Sequence, residues 1–198
     1  VAHKSRTKEC PVKITGVRIH RLQWQRPSYH WRDGIMPSGP TASAGLLRIL
    51  TDEGVEGVSP CSGDANVDEI KWQIMGANPL ARERIWQSFW RNLRSSKLGF
   101  AIGPVDCALW DLQGKLSNQP VYKLLGGMRD RIPAYASTVT LDSLDEYMQL
   151  ADACLARGYK AIKLHAWGRL DEDAALCKAL RKHVGDDITL MYDASSMF

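Results

Sequence analysis

Apolar residues recur with two different rhythms along this chain, and the change between them divides it. From Val12 to Trp24 a largely alternating pattern (Val12, Ile14, Val17, Ile19, Leu22) predicts a first strand with one buried face. Gln25 to Pro40 lose that rhythm and gather Pro27, Gly34, Pro37, Gly39 and Pro40 around Tyr29, His30 and Trp31. This predicts a long loop, and long loops in compact domains are commonly functional. Ala44–Leu50 and Val55–Val58 flank Thr51-Asp52-Glu53-Gly54, turn chemistry that predicts a hairpin. Ser62-Gly63-Asp64 offers caps for a helix through Ile70 and Ile74, and Asn78-Pro79 opens another with Ile85, Phe89, Trp90 and Leu93 at helical spacing. A third helix is expected from Pro104, a residue suited to a first turn, to about Leu116.

After Gly126-Gly127 the units become short and regular. Ile132–Val139 reads as a strand, and Asp142 or Ser143 caps a helix carrying Leu144, Tyr147, Leu150, Ala151 and Leu155, ended by Gly158. A strand closing on Lys163-Leu164-His165, a helix over Asp171–His183, and a strand closing on Met191-Tyr192-Asp193 follow. Strand, helix, strand in this order makes a βαβ unit and a parallel sheet. Side chains two apart on a strand share a face, so Lys163 and His165 project together. Parallel neighbours bring their C-terminal ends to one edge, where α/β folds build active sites. An amine, an imidazole and a carboxylate are therefore expected to converge there.

Composition narrows the choice of partner. The 198 residues are 44% apolar and 24% charged, which is ordinary globular material. The formal charge of +4 is diffuse, since basic and acidic residues interleave after His3-Lys4-Ser5-Arg6-Thr7-Lys8. A nucleic-acid partner, which calls for a concentrated basic face, is not expected. The basic start is not followed by an apolar segment of the kind a secretory signal carries. No apolar run approaches the roughly 20 residues of a membrane helix, so no membrane partner is expected either. Five cysteines (Cys10, Cys61, Cys107, Cys154, Cys177) form no CxxC pair. Buried free thiols and a cytoplasmic location follow as expectations.

The run Gly103-Pro104-Val105-Asp106-Cys107-Ala108-Leu109-Trp110-Asp111-Leu112-Gln113-Gly114-Lys115, with Pro120-Val121-Tyr122-Lys123-Leu124-Leu125-Gly126-Gly127, carries a resemblance. It resembles the junction between capping domain and barrel in the mandelate racemase/muconate lactonizing enzyme family of the enolase superfamily. The resemblance implies an α+β capping domain with junction helix over residues 1–127. An incomplete (β/α) TIM-type barrel follows over 128–198, of which the first three strands are present.

It also implies an enzyme that removes a proton next to a carboxylate and holds the enediolate on Mg²⁺. A carbon acid of this kind is very weak, and a divalent cation on the carboxylate oxygens stabilises the second developing charge. Mg²⁺ prefers oxygen ligands, which makes Asp193 the metal ligand of this segment. Lys163 and His165 become the catalytic pair. Many relatives carry a second lysine where this chain has His165. Imidazole accepts a proton at neutral pH without strong tuning, and the change favours dehydration of an acid sugar, a carbon–oxygen lyase reaction, over racemisation. Racemase, epimerase or cycloisomerase chemistry is the alternative, and a non-catalytic fragment the third. Trp24, Tyr29, His30, Trp31 and Arg32 are the substrate-binding candidates, with Ser59–Gly63 as a second loop over a small-molecule carboxylate. The family's other metal ligands and opposing base fall on later strands, so the chain is expected to be half of a longer enzyme, inactive alone and a homo-oligomer at full length. Trp86, Phe89, Trp90 and Trp110 are expected in the core.

Overall fold

The structure, a computed structural model, describes residues 12–92 and 99–195. The basic start, Cys10, Leu93 and Ser196 lie outside the described residues. Two compact units emerge: residues up to Trp24 with Ser43–Asp130, and Gln25–Ala42 with Arg131 onward. The long loop thus belongs to the same unit as the short βα repeats.

In the first unit β1 (Ile14–Gln25), β2 (Thr41–Thr51) and β3 (Glu56–Cys61) form a sheet in that order. β2 and β3 are antiparallel, pairing Gly45 with Cys61 and Leu50 with Glu56. The expected hairpin is there, and Gly54 takes the positive φ of 73° that its turn needs. α1 (Val67–Ile74), α2 (Arg82–Asn92) and α3 (Gly99–Ser117) follow, then the short α4 (Val121–Leu124) in the junction run. Ile14, Val17, Leu47 and Ile49 from the sheet meet Ile70, Ile74, Ile85, Phe89, Ala108, Leu109 and Leu112 from the helices in one core. β3 lies tight on α3: Val58 N donates to Asp111 Oδ2 at 2.8 Å, and Lys115 Nζ to Glu56 O at 2.9 Å.

Several local expectations are corrected. α1 is capped by Asn66, whose side chain accepts from Asp68 N and Glu69 N, not by Ser62 or Asp64. Asn78 makes a turn with Leu80 N, and α2 begins only at Arg82. α3 starts before Pro104 and carries it inside, where its ring removes one helical hydrogen bond without ending the helix. Of the four aromatics expected in the core only Phe89 is fully buried: Trp90 is 56% exposed and stacks on Trp86, and Trp110 lies beneath the Arg82 guanidinium. Stacking and cation–π contact hold these rings at the surface instead. Among the described cysteines only Cys154 is buried, and Cys107 is exposed.

In the second unit β4 (Ala136–Ser137), β5 (Ala161–His165) and β6 (Thr189–Asp193) form an all-parallel sheet in that order. α5 (Leu144–Ala156) and α6 (Leu170–Val184) connect them. The strand expected over Ile132–Val139 shrinks to two residues, since Pro133 has no N–H to give a ladder and β4 pairs only with β5. Ser143 caps α5 through Glu146 N, while Glu146 Oε2 accepts from Asp142 N, a reciprocal arrangement close to a capping box. α6 carries Asp171, Glu172 and Asp173 in its first turn and Arg181, Lys182 and His183 in its last, both favourable to the helix dipole. Ile162 and Leu164 point from β5 into a core with Tyr147, Ala151, Leu176 and Leu180. That burial fixes the register, so Lys163 and His165 take the opposite face. No helix among the described residues is long and apolar enough to cross a membrane.

Candidate active site

Register carries the site. β5 and β6 pair Lys163 with Met191 and His165 with Asp193, so the amine, the imidazole and the carboxylate leave one face at the C-terminal strand ends. Lys163 Nζ donates to Asp193 Oδ2 at 2.9 Å, and His165 Nε2 lies 3.3 Å from the same oxygen. Asp193 Oδ1 accepts from Ser195 N at 3.0 Å. The Lys163 bond and the Ser195 amide hold the Asp193 carboxyl down at about 2, and the bond to Asp193 raises the Lys163 ammonium above its ordinary value. At neutral pH the site therefore contains a carboxylate and a cation side by side. The Tyr135 ring centroid lies 5.6 Å from the same ammonium.

His165 is oriented from behind. Its Nδ1 is 2.6 Å from Thr138 O, and a carbonyl can only accept, so Nδ1 carries the proton and donates. In the neutral ring the lone pair is then on Nε2, the atom facing Asp193. Thr138 Oγ1 accepts from His165 N at 3.0 Å, and Tyr147 Oη donates to His165 O at 2.6 Å while accepting from Leu141 N at 3.1 Å. Thr138 and Tyr147 are partners the sequence reading missed. Tyr147 shows only as a core position of α5. The Thr138-Val139-Thr140 alternation just before a cap, with hydroxyls at both inward positions, was the available signal.

The Gln25–Ala42 segment meets these strand ends. Trp31 sits edge-on to His165, ring centroids 4.8 Å apart at 70°, and Tyr29 packs edge-on to Trp31 at 5.8 Å. Arg32 Nε donates to Ser195 O at 2.9 Å, and His30 bridges to Thr140 with Nε2 3.4 Å from Asp142. Four of the five substrate-binding candidates are thus gathered around the β5 and β6 ends. Trp24 belongs to the first unit, on β1, and is 48% exposed. Ser59–Cys61 belong to β3, with Ser59 buried, so that stretch is strand and not the loop expected.

Asp193 suits one position of a Mg²⁺ oxygen shell, being anionic, half-exposed and at a strand end. Among the described residues no group of three or more His, Cys, Asp or Glu could hold a metal ion. A complete shell is not found among the described residues.

Comparison with known proteins agrees with the architecture. Residues 34–126 match the family described as mandelate racemase/muconate lactonizing enzyme, N-terminal domain, and residues 146–198 match enolase C-terminal domain-like. The first unit is therefore a capping domain and the second a part of an enolase-superfamily barrel. Within that superfamily the chain belongs to the mandelate racemase/muconate lactonizing enzyme family. It is 39% identical over 134 residues to 3,6-anhydro-alpha-L-galactonate cycloisomerase of Streptomyces coelicolor, 64% of this chain and 37% of that protein. To D-galactarolactone cycloisomerase of Agrobacterium fabrum it is 30% identical over 198 residues, 93% of this chain and 52% of that protein. D-glucarate dehydratase from Agrobacterium tumefaciens, solved complexed with magnesium, superposes with a TM-score of 0.78 at 33% identity, covering 91% of this chain and 53% of that one. The chain thus spans between about a third and a half of the length of these relatives.

Proposed function

We propose that the protein, at the length of its relatives, abstracts the proton α to the carboxylate of a small acid sugar and expels the β-hydroxyl as water. The observation that carries this reading is the convergence of Lys163, His165 and Asp193 on one face of two parallel strand ends. His165 takes the proton at Nε2, its Nδ1–H remaining on Thr138 O, and Asp193 Oδ2 at 3.3 Å steadies the imidazolium that results. Returned to the departing hydroxyl, the same proton completes loss of water, so one group serves as base and then acid. Lys163 faces the anion that forms with a permanent cation. Trp31, edge-on to His165, keeps water from the imidazole, and Arg32 supplies a guanidinium near the β6 end. Asp193 would hold Mg²⁺, which when bound supplies positive charge to the substrate carboxylate oxygens.

Cycloisomerisation on the same residues is the second reading, favoured by the names of two relatives. The experiment is a panel of aldonates, aldarates and their lactones, incubated with Mg²⁺ and the protein expressed from its native reading frame, in D₂O. A 2-keto-3-deoxy product supports dehydration, and ring opening or lactone migration supports the second reading. Solvent deuterium in recovered, inverted substrate would place the protein with the racemases, and no turnover of any of these acids would sink both readings.

A further inference from the structure

Asp173 is the one charged side chain among the described residues that is buried, at 3% exposure. A buried carboxylate is costly unless its oxygens are satisfied. Trp167 N donates to Oδ1 at 3.1 Å, Gly168 N to Oδ2 at 3.0 Å, and Tyr192 Oη to Oδ2 at 2.6 Å. Local reach-back from the first turn of α6 would account for the two amides, which lie ahead of the N-cap Arg169. It would not account for Tyr192, which comes from β6.

The positions of the three donors in the chain are informative. Trp167 and Gly168 follow His165 by two and three residues, and Tyr192 immediately precedes Asp193. Tyr192 alternates with Asp193 along β6, so it leaves the helix side of the sheet while Asp193 leaves the other. We propose that Asp173 is a positioning residue for the site: from the helix side it ties the chain leaving β5 to the strand carrying Asp193, and so fixes the contact between His165 and Asp193. It touches neither of them. Without the tie the ladder pairing of His165 with Asp193 remains, but nothing on the helix side holds the chain leaving β5 to the end of β6, and the 3.3 Å separation of Nε2 and Oδ2 is held less tightly. The inference rests on His165 and Asp193 forming the site, but not on which acid sugar is the substrate.

The test uses the protein expressed from its native reading frame with Mg²⁺, in Asp173→Asn and Tyr192→Phe variants. Asn keeps a single acceptor oxygen and turns an amide donor toward the backbone N–H groups, whereas Phe removes only the bond from β6. Asp173→Asn should lower kcat about 10- to 100-fold at nearly constant KM, the cost of a misplaced acid/base, and Tyr192→Phe should do so less. The ring Nδ1–H resonance of His165, bonded to Thr138 O, should shift or broaden in both. A lowered Tm with kcat and that resonance at wild-type values would make Asp173 merely structural and overturn the proposal. If Asp173→Asn does not fold, Tyr192→Phe decides, and an unchanged resonance and kcat there overturn it equally. If the wild-type protein turns over no acid sugar, the proposed reaction falls, while the resonance still reads the role of Asp173.

Discussion

His165 and Asp193 stand directly opposite each other on neighbouring parallel strands, with Nε2 3.3 Å from Oδ2. The pairing brings an imidazole against a carboxylate held at about 2, which remains charged throughout the physiological range. Thr138 O settles the tautomer from the far side of the ring, so in the neutral ring the unprotonated nitrogen is the one turned toward the carboxylate.

Replacing His165 with Asn should separate chemistry from folding. Thr138 Oγ1 accepts from the backbone N–H of residue 165, and Tyr147 donates to its carbonyl, so both bonds survive the change. If Nε2 is the acid/base, kcat should fall by about 10²–10⁴-fold with Tm and Mg²⁺ affinity little changed. A raised KM with normal kcat would mean that His165 only positions substrate.

Lys163→Met should abolish turnover, because the developing anion loses its fixed cation while the apolar stem is kept. Asp193 Oδ2 loses its shortest contact at the same time. Titration of the Asp193 carboxyl by NMR should therefore move upward from its depressed value. An unmoved titration would contradict the ion pair.

The sheet faces were legible in the sequence because a period of two leaves little freedom once Ile162 and Leu164 must be buried. That rule placed Lys163 beside His165, and parallel pairing placed Asp193 at the same edge. Long-range partners were not legible. Thr138, Tyr147 and Asp173 reach the site through hydrogen bonds spanning from 5 to 27 residues, and beyond the Thr138-Val139-Thr140 alternation no local pattern marks such a pairing. Helix starts failed for a related reason: Ser62, Asp64 and Asn66 are all competent caps, and only packing of Ile70 and Ile74 selects Asn66. Trp90 misled because helical spacing identifies a face without saying whether anything covers it.

Glycine substitutions in the first unit should have unequal outcomes. A Cβ on Gly57 would overlap Ala108 O and lie 2.9 Å from Leu112 Cβ, both in α3. The neighbour is helix backbone and cannot swing aside, so Gly57→Ala should cost about 3 kcal/mol or more. A Cβ on Gly103, also in α3, meets nothing within 4 Å among the described residues beyond its chain neighbours and its own helix backbone. Gly103 precedes Pro104, whose ring crowds a Cβ on a helical neighbour, so Gly103→Ala should bring no gain but cost far less than Gly57→Ala. Urea midpoints for the two variants check both, and a folded, wild-type-like Gly57→Ala would refute the close β3–α3 approach.

Alkaline pH should destabilise the second unit through Tyr147. Burial pushes its hydroxyl up to about 12, from an ordinary value of 10. In the unfolded chain the phenol ionises near 10, while the folded protein keeps the proton to about 12. The folded state binds more protons across that window, so stability falls as pH rises. The contribution is whole below about pH 10 and gone above the folded value. Urea midpoints measured from about pH 9 to about pH 11 should drop more steeply for the wild type than for Tyr147→Phe, which cannot ionise. Parallel slopes would show that Tyr147 is not the group responsible.

The Gln25–Ala42 segment should act as a cover over the strand ends. Asp33 N donates to Trp167 O at 2.9 Å, Arg169 Nε to Asp33 Oδ2 at 2.7 Å, and Arg32 Nε to Ser195 O at 2.9 Å. The Asp33–Arg169 pair is exposed, and exposed ion pairs hold weakly, so the segment can part from the strand ends without a large cost. Gly34, at a φ of 82°, provides a turn that few other residues tolerate. Closed, the segment lays Trp31 against His165 and excludes water, which strengthens the interaction of Lys163 with a substrate anion. Trp31→Ala should accordingly weaken turnover of acid sugars and leave Mg²⁺ affinity nearly unchanged. Hydrogen exchange with and without a substrate analogue reads the motion directly. Protection of Tyr29–Ile35 should rise on binding, and equal protection in both states would leave the segment a fixed part of the wall rather than a cover.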